Sequence, residues 1–187
     1  MSLTPPPILA VVGLAGTGKS RVTEQLVSKY GYTPVYFGGV VIDEVKRREL
    51  PVSPENERIV REDLRAKEGM AVMAKRSIPH VISIRQTGGI VVIDGLYSAA
   101  ERTLLEESLG GSMVTLAVHS SRRIRKYRVA QRPIRPLTAD ELDRRDEFEV
   151  TMLDKAIPIA LADLHIINNG TLPELHRQID DVLREFS

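Results

Sequence analysis

Cysteine, long apolar runs and an excess of one charge sign are all missing from this sequence. None of the 187 residues is a cysteine, which excludes disulfides and thiolate metal sites. The apolar runs are short, as at residues 157–162, and far below the length of a membrane span. The first residues lack the basic and then apolar pattern of a signal peptide. We therefore expect a cytoplasmic protein without a membrane partner.

The charges are almost balanced. The chain has 26 Lys and Arg residues against 25 Asp and Glu residues, a formal net charge of +1. Proteins that hold a nucleic-acid backbone usually have a clear basic excess, so nucleic acid is not the expected partner. The length and the hydrophobic content of 42% suffice for one domain with its own core. We predict a single domain over residues 1–187, present as a monomer or a homodimer.

Short apolar runs alternate with longer amphipathic runs along the chain. This alternation is typical of an α/β fold with a parallel sheet. Several of the short runs are apolar on both faces, as expected of strands that helices cover from both sides. The predicted strands are residues 8–12, 33–36, 90–93, 113–118 and 165–167.

Several helix starts are marked by capping residues. Ser98, Thr138 and Thr171 each stand three positions before a glutamate, the spacing of a capping box. Ser53 precedes a proline, which suits the first position of a helix. The segment 38–86 is mostly helical in pattern and longer than a simple crossover needs. We interpret it as a helical insertion over one end of the sheet that binds a second substrate.

A glycine-rich loop joins the first predicted strand to the first helix. Residues 13–20 read Gly-Leu-Ala-Gly-Thr-Gly-Lys-Ser, which matches the phosphate-binding P-loop pattern. The glycines let backbone N–H groups wrap a phosphate, and the helix N-terminus adds a partial positive charge. Lys19 is predicted to contact the β- and γ-phosphates of ATP, and the Ser20 hydroxyl to bind Mg²⁺. The alternative, a glycine-rich turn without a ligand, does not explain why a strand precedes the loop and a helix follows it.

Another apolar strand ends in Asp94-Gly95. A carboxylate at this place in a P-loop fold can hold Mg²⁺ through water, although an Asp-Gly turn after a strand is the simpler alternative. We predict Asp94 as the partner of Ser20 because a bound Mg²⁺ needs one. The guanine-specific patterns of GTPases are missing, as is the acidic pair of large ATP-driven machines. A small phosphotransferase that uses Mg-ATP fits better.

Residues 121–135 contain seven basic side chains and no acidic one. On a continuous helix Arg128 and Arg132 lie four positions apart and share a face. Two guanidinium groups there would stabilise the charge on a transferring phosphoryl group. Pro133 and Pro136 then break the helix, which predicts a mobile lid over residues 131–140.

Two other interpretations of the basic run are a solvated helix face and a nucleic-acid surface. Seven unbalanced like charges repel one another, which argues against a purely structural face. Tyr127 is the single aromatic residue in the run, too few for stacking on nucleic-acid bases. Arg145, on the next predicted helix, offers a further cation from the other side of the lid.

Together these motifs resemble the nucleoside-monophosphate-kinase-like group of P-loop kinases, which includes adenylate, cytidylate and dephospho-CoA kinases. The resemblance is strongest to small archaeal members of unsettled substrate. It covers nearly the whole chain. Its carriers are the loop 13–20, Asp94-Gly95, the spaced arginines 125, 128 and 132, the group Arg145, Asp146 and Glu149, and the closing segment 162–170.

The resemblance implies a three-layer P-loop NTPase fold with a five-stranded parallel sheet, an acceptor-binding insertion at 38–86 and a short lid at 131–140. It implies that Arg128 lies near the adenine and that Arg132 and Arg145 contact the transferring phosphoryl group. The loop 168–170 would lie against the base. The implied activity is transfer of the γ-phosphoryl of Mg-ATP to a nucleotide-like acceptor of nucleoside monophosphate or dephospho-CoA type.

The sequence departs from this group on the acceptor side. Related archaeal chains tend to read Gly-Asp-x-x-Arg where this chain has Gly39 and Ile42 in place of the acid and the arginine. Many also have an arginine where Tyr97 stands. These departures favour an alternative, a nucleotide-binding regulatory module without an acceptor site, and a nucleic-acid-linked ATPase is a third possibility. Asp43 or Glu44 are candidate replacements for the lost acid, and the candidate anion ligands are Arg65, Lys67, Arg76 and Arg85.

The predicted site is thus defined residue by residue. The predicted catalytic residues are Lys19, Asp94, Arg128, Arg132 and Arg145. The predicted nucleotide-binding residues are Gly13, Ala15, Gly16, Thr17, Gly18, Lys19, Ser20, Arg21, Arg128 and Asn169. Ser20 and Asp94 are the predicted Mg²⁺ ligands.

Overall fold

Five strands form one parallel sheet in the computed structural model, which describes residues 6–184. The strand order is β2-β3-β1-β4-β5, and every neighbouring pair is parallel. The strands are β1 (Ile8–Val12), β2 (Thr33–Tyr36), β3 (Val91–Asp94), β4 (Met113–His119) and β5 (Leu164–Ile167). The predicted α/β class and five-stranded parallel sheet are confirmed. Both ends of the predicted domain 1–187 lie outside the described residues.

Nine helices accompany the sheet within residues 6–184, and none of them is long and apolar enough to cross a membrane. Three of them lie between β2 and β3. The helices are α1 (Lys19–Tyr30), α2 (Phe37–Arg47), α3 (Pro54–Glu68), α4 (Val72–Gln86), α5 (Ala99–Leu109), α6 (Arg122–Ala130), α7 (Ala139–Thr151), α8 (Ala156–Ala160) and α9 (Leu172–Arg184).

The central strand β1 separates two halves of the core. Successive side chains of a strand point to opposite faces of the sheet. Ile8, Ala10 and Val12 accordingly belong to a cluster with residues of α2 to α5, whereas Leu9 and Val11 pack with residues of α1 and α9. All five residues of β1 are buried, which is why the strand is apolar throughout. The result is three layers, helices on both sides of one sheet.

The carboxyl ends of β1 and β3 place candidate site residues at one edge of the sheet. Asp94 is the last residue of β3 and lies opposite Val11 near the end of β1. The P-loop leaves β1 one residue after Val12 at the same edge. Ligands of open α/β sheets bind outside the carboxyl ends of the strands, so this edge is the expected site.

The marked helix starts are confirmed. Ser98 and Thr138 form complete capping boxes at α5 and α7, and the Ser53 hydroxyl accepts from the Asn56 N–H at α3. At α9 the Thr171 N–H donates to Glu174 at 2.6 Å, and the Glu174 N–H returns to the Thr171 hydroxyl at 3.4 Å. These bonds satisfy donors that a helix leaves free in its first turn.

Glu44 has a structural role that its sequence position did not indicate. Its buried carboxylate on α2 accepts hydrogen bonds from Arg47, Arg48 and Arg76. These bonds hold the pKa of Glu44 well below its usual range despite its burial. Glu44 therefore ties α2 to α4 and does not replace the missing acceptor-side acid, a correction of that expectation.

Removing the Ser98 cap should destabilise the fold. The Ser98 hydroxyl is buried and accepts from the Glu101 N–H at 3.1 Å. We expect Ser98→Ala to lower the free energy of unfolding by about 1 kcal/mol, measured by urea denaturation. Ser108→Ala, an exposed change on the same helix, should leave stability nearly unchanged. Equal effects from both substitutions would contradict a capping role.

Candidate active site at the phosphate loop

The P-loop backbone adopts conformations that few side chains tolerate. Gly16 and Gly18 have φ values of 83° and 99°, in the left-handed region that favours glycine. Ala15 before them and Thr17 between them are buried. At the start of α1 the Lys19 ammonium donates to the carbonyl oxygens of Gly13 and Leu14 at 2.8 and 3.0 Å. The loop thus holds its own lysine over the space that a phosphate would occupy.

Neighbouring elements approach the loop closely at two of its glycines, Gly16 and Gly18. A methyl group on Gly16 would lie 3.0 Å from the backbone oxygen of Arg125 and 3.0 Å from Val129 on α6. A methyl group on Gly18 would overlap the side-chain nitrogen of Asn168. Both glycines are therefore required by packing as well as by their backbone angles.

Arg125 joins α6 and α7 to the P-loop. Its guanidinium donates to the Ala15 carbonyl at 3.1 Å and to both carboxylate oxygens of Asp146 at 2.9 and 2.6 Å. The side chain of Arg125 is only 6% exposed. A bidentate, buried arginine–carboxylate pair of this kind is strong and directional. Arg125 is thus committed to structure and is not free to bind phosphate.

Two more residues of the basic run are paired with an acid on α7. Arg122 and Lys126 both contact the carboxylate of Asp143, at 2.7 and 2.8 Å. The acids that the run itself lacks are supplied by another helix. The argument that seven unbalanced charges exclude a structural role is therefore wrong for these residues and for Arg125.

Arg132 does not share a helix with Arg128. Helix α6 ends at Ala130, so Arg132 lies in the loop beyond it, a correction of the shared face predicted from spacing. No hydrogen bond or ion pair of the Arg132 guanidinium is formed within residues 6–184. Burial, followed by the nearby charge of Arg145, lowers the pKa of Arg132. The charges of arginines 132 and 145 are therefore close enough to repel each other.

Arg128 fixes the loop that follows β5. Its guanidinium donates to the Ser120 hydroxyl and the Asn168 carbonyl, both at 3.0 Å, and to the Asn168 side-chain oxygen at 3.3 Å. The Asn168 amide in turn donates to the Thr17 carbonyl at 2.9 Å. The side-chain oxygen of Asn169 accepts from the Ser121 N–H. The loop 168–170 thus lies beside the P-loop, where the resemblance puts the base.

The predicted Mg²⁺ ligands suit that ion. Mg²⁺ in phosphate-transfer sites takes one or two protein oxygens beside phosphates and water. The half-buried Asp94 carboxylate forms no direct hydrogen bond or ion pair with another described residue, and Ser20 is exposed at the start of α1. Burial raises the pKa of Asp94 while the charges of Lys19 and Lys155 oppose the rise. Arg21, next to Ser20, points outward and pairs with Glu24 at 2.7 Å.

Lys155 is a member of the site that sequence reasoning missed. It is buried, pairs with Glu149 at 2.7 Å and lies 4.0 Å above the centre of the Tyr97 ring. Glu149 also accepts from Arg145 at 2.8 Å. The carboxylate and the lysine are six positions apart across the end of a helix, a spacing that carries no local signal.

Several cations surround Lys19. Burial is the main cause that lowers the pKa of Lys19 to about 7, and the charges of Lys155 and Arg145 add to it, whereas Glu149 and Asp94 oppose it. These residues therefore share one electrostatic environment at the carboxyl ends of β1 and β3. Such a concentration of positive charge suits a polyphosphate, which carries the opposite charge.

The candidate anion ligands on the acceptor side separate into paired and unpaired groups. Lys67 and Arg76 are held by Asp63 and Glu68, and Arg85 bonds to the Gly89 carbonyl.

Arg65 alone of these four candidates is left without such a partner. Its Nε is buried and has no hydrogen-bond partner in the described part of the chain. Arg61, four positions earlier on α3, was missed by sequence reasoning although the spacing puts both arginines on one helix face. Both interact electrostatically with Tyr97.

The predicted lid region contacts α3. Residues 131–138 form an irregular loop between α6 and α7, so the last two residues of the predicted span, 139 and 140, are already helical. Arg135 adopts a φ of 55° and pairs with the buried carboxylate of Glu57 at 2.7 Å. The loop therefore bridges α3 and the nucleotide side of the molecule.

The sheet order and the P-loop with its lysine and strand-end aspartate define a P-loop kinase-like fold. A gluconokinase from Sinorhizobium meliloti superimposes with a TM-score of 0.59 at 17% identity, covering 96% of this chain and 93% of that one. A dephospho-CoA kinase from Campylobacter jejuni gives a TM-score of 0.55 at 12% identity, covering 97% of each chain.

Sequence relatives identify the family. The family model described as an AAA domain matches residues 12–153. A UPF0200 protein of Thermococcus sibiricus is 32% identical over 176 residues, covering 92% of each chain. A UPF0200/UPF0201 protein of Archaeoglobus fulgidus is 32% identical over 96% of this chain, which spans only 56% of that relative's length. The chain belongs to the UPF0200 family and carries an AAA domain.

Crowding at Gly18 gives a test of the nucleotide site. We expect Gly18→Ala to weaken binding of a fluorescent Mg-ATP analogue at least about tenfold, because the new methyl group would displace Asn168 beside the loop. Gly31→Ala is the matched control, since Gly31 has a φ of 75° but open space around it. Both variants should lose about 1 kcal/mol of stability. Unchanged nucleotide affinity in Gly18→Ala would contradict this assignment.

Proposed function

We propose that this protein is a small-molecule kinase that transfers the γ-phosphoryl group of Mg-ATP to a nucleotide-like acceptor of nucleoside monophosphate or dephospho-CoA type. The observation that carries the proposal is the position of Lys19 and Asp94 at the carboxyl edge of the sheet, where the charge of Arg145 also acts on Lys19. A cation on the phosphates, a carboxylate for the metal and an arginine for the moving group are the parts that phosphoryl transfer needs.

The P-loop residues bind and orient the triphosphate. Backbone N–H groups of residues 13–20 surround the phosphates, and the start of α1 adds its partial positive charge. Lys19, already held at the Gly13 and Leu14 carbonyls, reaches the β- and γ-phosphates. Mg²⁺, held by Ser20 and Asp94 when bound, would neutralise charge on the phosphate oxygens.

Arginines stabilise the phosphoryl group during its transfer. The transferring phosphoryl carries its charge on three equatorial oxygens, and fixed guanidinium groups lower the energy of that arrangement. Arg145 interacts electrostatically with both Lys19 and Arg132. The loop 131–138 is tied to α3 by Arg135. Closed over bound phosphates, it would exclude water, which would otherwise compete with the acceptor.

The acceptor would lie between α3 and Tyr97. Arg61 and Arg65 supply positive charge on one face of α3, and Tyr97 and Tyr36 both come close to Gly95 after β3. The structural neighbours named gluconokinase and dephospho-CoA kinase phosphorylate different acceptors on this fold, which supports a small-molecule acceptor without choosing one. The unpaired arginines favour an acceptor that carries negative charge.

The pairing of the basic run does not favour a nucleic-acid-linked ATPase. Arg122, Arg125 and Lys126 are neutralised by acids of α7, so the run does not present a continuous basic surface. Binding to RNA or DNA that falls steeply with salt would instead favour the nucleic-acid-linked ATPase.

The function is tested by ADP formation from Mg-ATP with an acceptor panel. The panel comprises nucleoside monophosphates, dephospho-CoA, the matching nucleosides and a reaction without acceptor. Turnover that depends on one of the phosphorylated acceptors supports the proposal. Tight ATP binding without any acceptor-stimulated turnover contradicts it and favours the regulatory module.

Lys19 should be essential for turnover. We expect Lys19→Ala to reduce acceptor-dependent ADP formation at least about 100-fold, as removal of a single transition-state donor does elsewhere. Lys29→Ala provides the control, because Lys29 lies on the same helix and its ammonium pairs with Asp180 at the surface. Activity of Lys19→Ala within a few-fold of the unmodified protein would exclude this mechanism.

Arg61 should govern acceptor affinity. We expect Arg61→Gln to raise the KM for the acceptor about tenfold while the KM for ATP stays the same, since a charged hydrogen bond to the acceptor is lost. Arg58→Gln on the same helix removes an exposed ion pair with Glu62 and should change neither constant. A rise in the KM for ATP alone would assign Arg61 to the nucleotide.

A further inference from the structure

Glu149 divides its carboxylate between two cations. One oxygen accepts from Nε of Arg145 at 2.8 Å, and the other accepts from the Lys155 ammonium at 2.7 Å. The Glu149 side chain is 4% exposed and that of Lys155 is 2% exposed. Each oxygen of the carboxylate is thus occupied by a different side chain.

Lys155 is held where it is by more than its ion pair. Its ammonium lies over the ring of Tyr97, and its backbone N–H donates to the Glu149 carbonyl at 3.1 Å. Burying an ammonium group costs several kcal/mol unless it is paired, so a buried lysine at this place needs a compensating partner. Glu149 provides that partner, and the tyrosine ring adds a cation–π contact.

Arg145 keeps most of its hydrogen-bonding capacity. Its Nε is bonded to Glu149, whereas neither terminal nitrogen has a hydrogen-bond partner within residues 6–184. The side chain is 40% exposed and interacts electrostatically with Lys19 and Tyr97. The two terminal nitrogens are therefore available to a ligand.

We propose that Lys155 is a positioning residue: by occupying one oxygen of Glu149, it limits that carboxylate to Nε of Arg145 and leaves the terminal nitrogens for the transferring phosphoryl group. This inference rests on the proposed kinase function. An arginine and a carboxylate without other partners favour a bidentate pair that uses two nitrogens of the guanidinium. Lys155 prevents that pairing at Glu149.

Two substitutions separate the effect of the Lys155 charge on Glu149 from the effect of Lys155 on packing. With Lys155 removed, the freed Glu149 oxygen would draw a terminal nitrogen of Arg145 away from the phosphates. Replacing Glu149 by glutamine as well would abolish the competing charge, while its side-chain oxygen still accepts from Nε. Glu149→Gln should therefore restore the contact between Arg145 and the phosphates that is lost when Lys155 is removed.

The test measures binding of Mg-ADP with and without aluminium fluoride, a mimic of the transferring phosphoryl group, to the full chain. We expect Lys155→Met to weaken binding of the aluminium fluoride complex at least tenfold and to change the affinity for Mg-ADP alone less than threefold. A lysine that matters only for packing would not produce this difference between ground-state and transition-state ligands.

The double variant Glu149→Gln with Lys155→Met should recover most of the lost affinity. Lys126→Met is the matched control, because Lys126 forms an ion pair of similar length with Asp143, which lies on α7 as Glu149 does. It should change neither affinity. If Lys155→Met does not fold, the double variant alone decides, since it leaves no unpaired buried charge at Glu149.

The outcomes distinguish this inference from the proposed function. Binding by the double variant close to that of the unmodified protein supports a positioning role. A double variant that binds the aluminium fluoride complex as weakly as Lys155→Met overturns that role. If Lys155→Met does not fold, a double variant that binds this complex as weakly as Arg145→Gln overturns it. Unimpaired binding by Lys155→Met also overturns it. If the unmodified protein binds Mg-ADP with aluminium fluoride no better than Mg-ADP alone, both the kinase proposal and this inference are overturned.

Discussion

Close packing around the phosphate loop is the constraint on which the rest of the structure depends. Gly16 lies against the backbone of α6, and Gly18 lies against Asn168 from the other side of the sheet edge. The buried pair of Arg125 and Asp146 then locks α6 to α7 and to the Ala15 carbonyl. Because these contacts are shared, a change at any one of them moves the nucleotide site as well.

Charge is used in two distinct ways near this loop. Cations that meet a carboxylate on another helix, such as Arg125 and Lys126, hold elements together. Arg132 and the terminal nitrogens of Arg145 have no protein partner in the described residues and remain for a ligand. The distinction depends on which helix faces each side chain, since a buried charge is costly unless it is paired.

The acceptor side is built differently from that of the resembled kinases. Glu44, one of the two acids that directly follow Ile42, accepts hydrogen bonds from three arginines. Arg61 and Arg65 lie four positions apart on α3, and the Tyr97 ring lies beneath Lys155. The departures from the kinase pattern therefore coincide with a rearranged set of cations, which is why the acceptor has to be found by experiment.

The sequence by itself determined what depends on neighbouring residues: the P-loop at 13–20, the parallel α/β sheet, the helix caps and Asp94 at a strand end. Backbone geometry and hydrogen bonds over a few positions specify these features, so spacing alone reveals them. Tertiary structure decided which basic residues are neutralised, where α6 ends relative to Arg132, and that Lys155 lies beside Glu149 and Tyr97. Those outcomes depend on contacts between distant segments, whose pairing and burial no local pattern encodes.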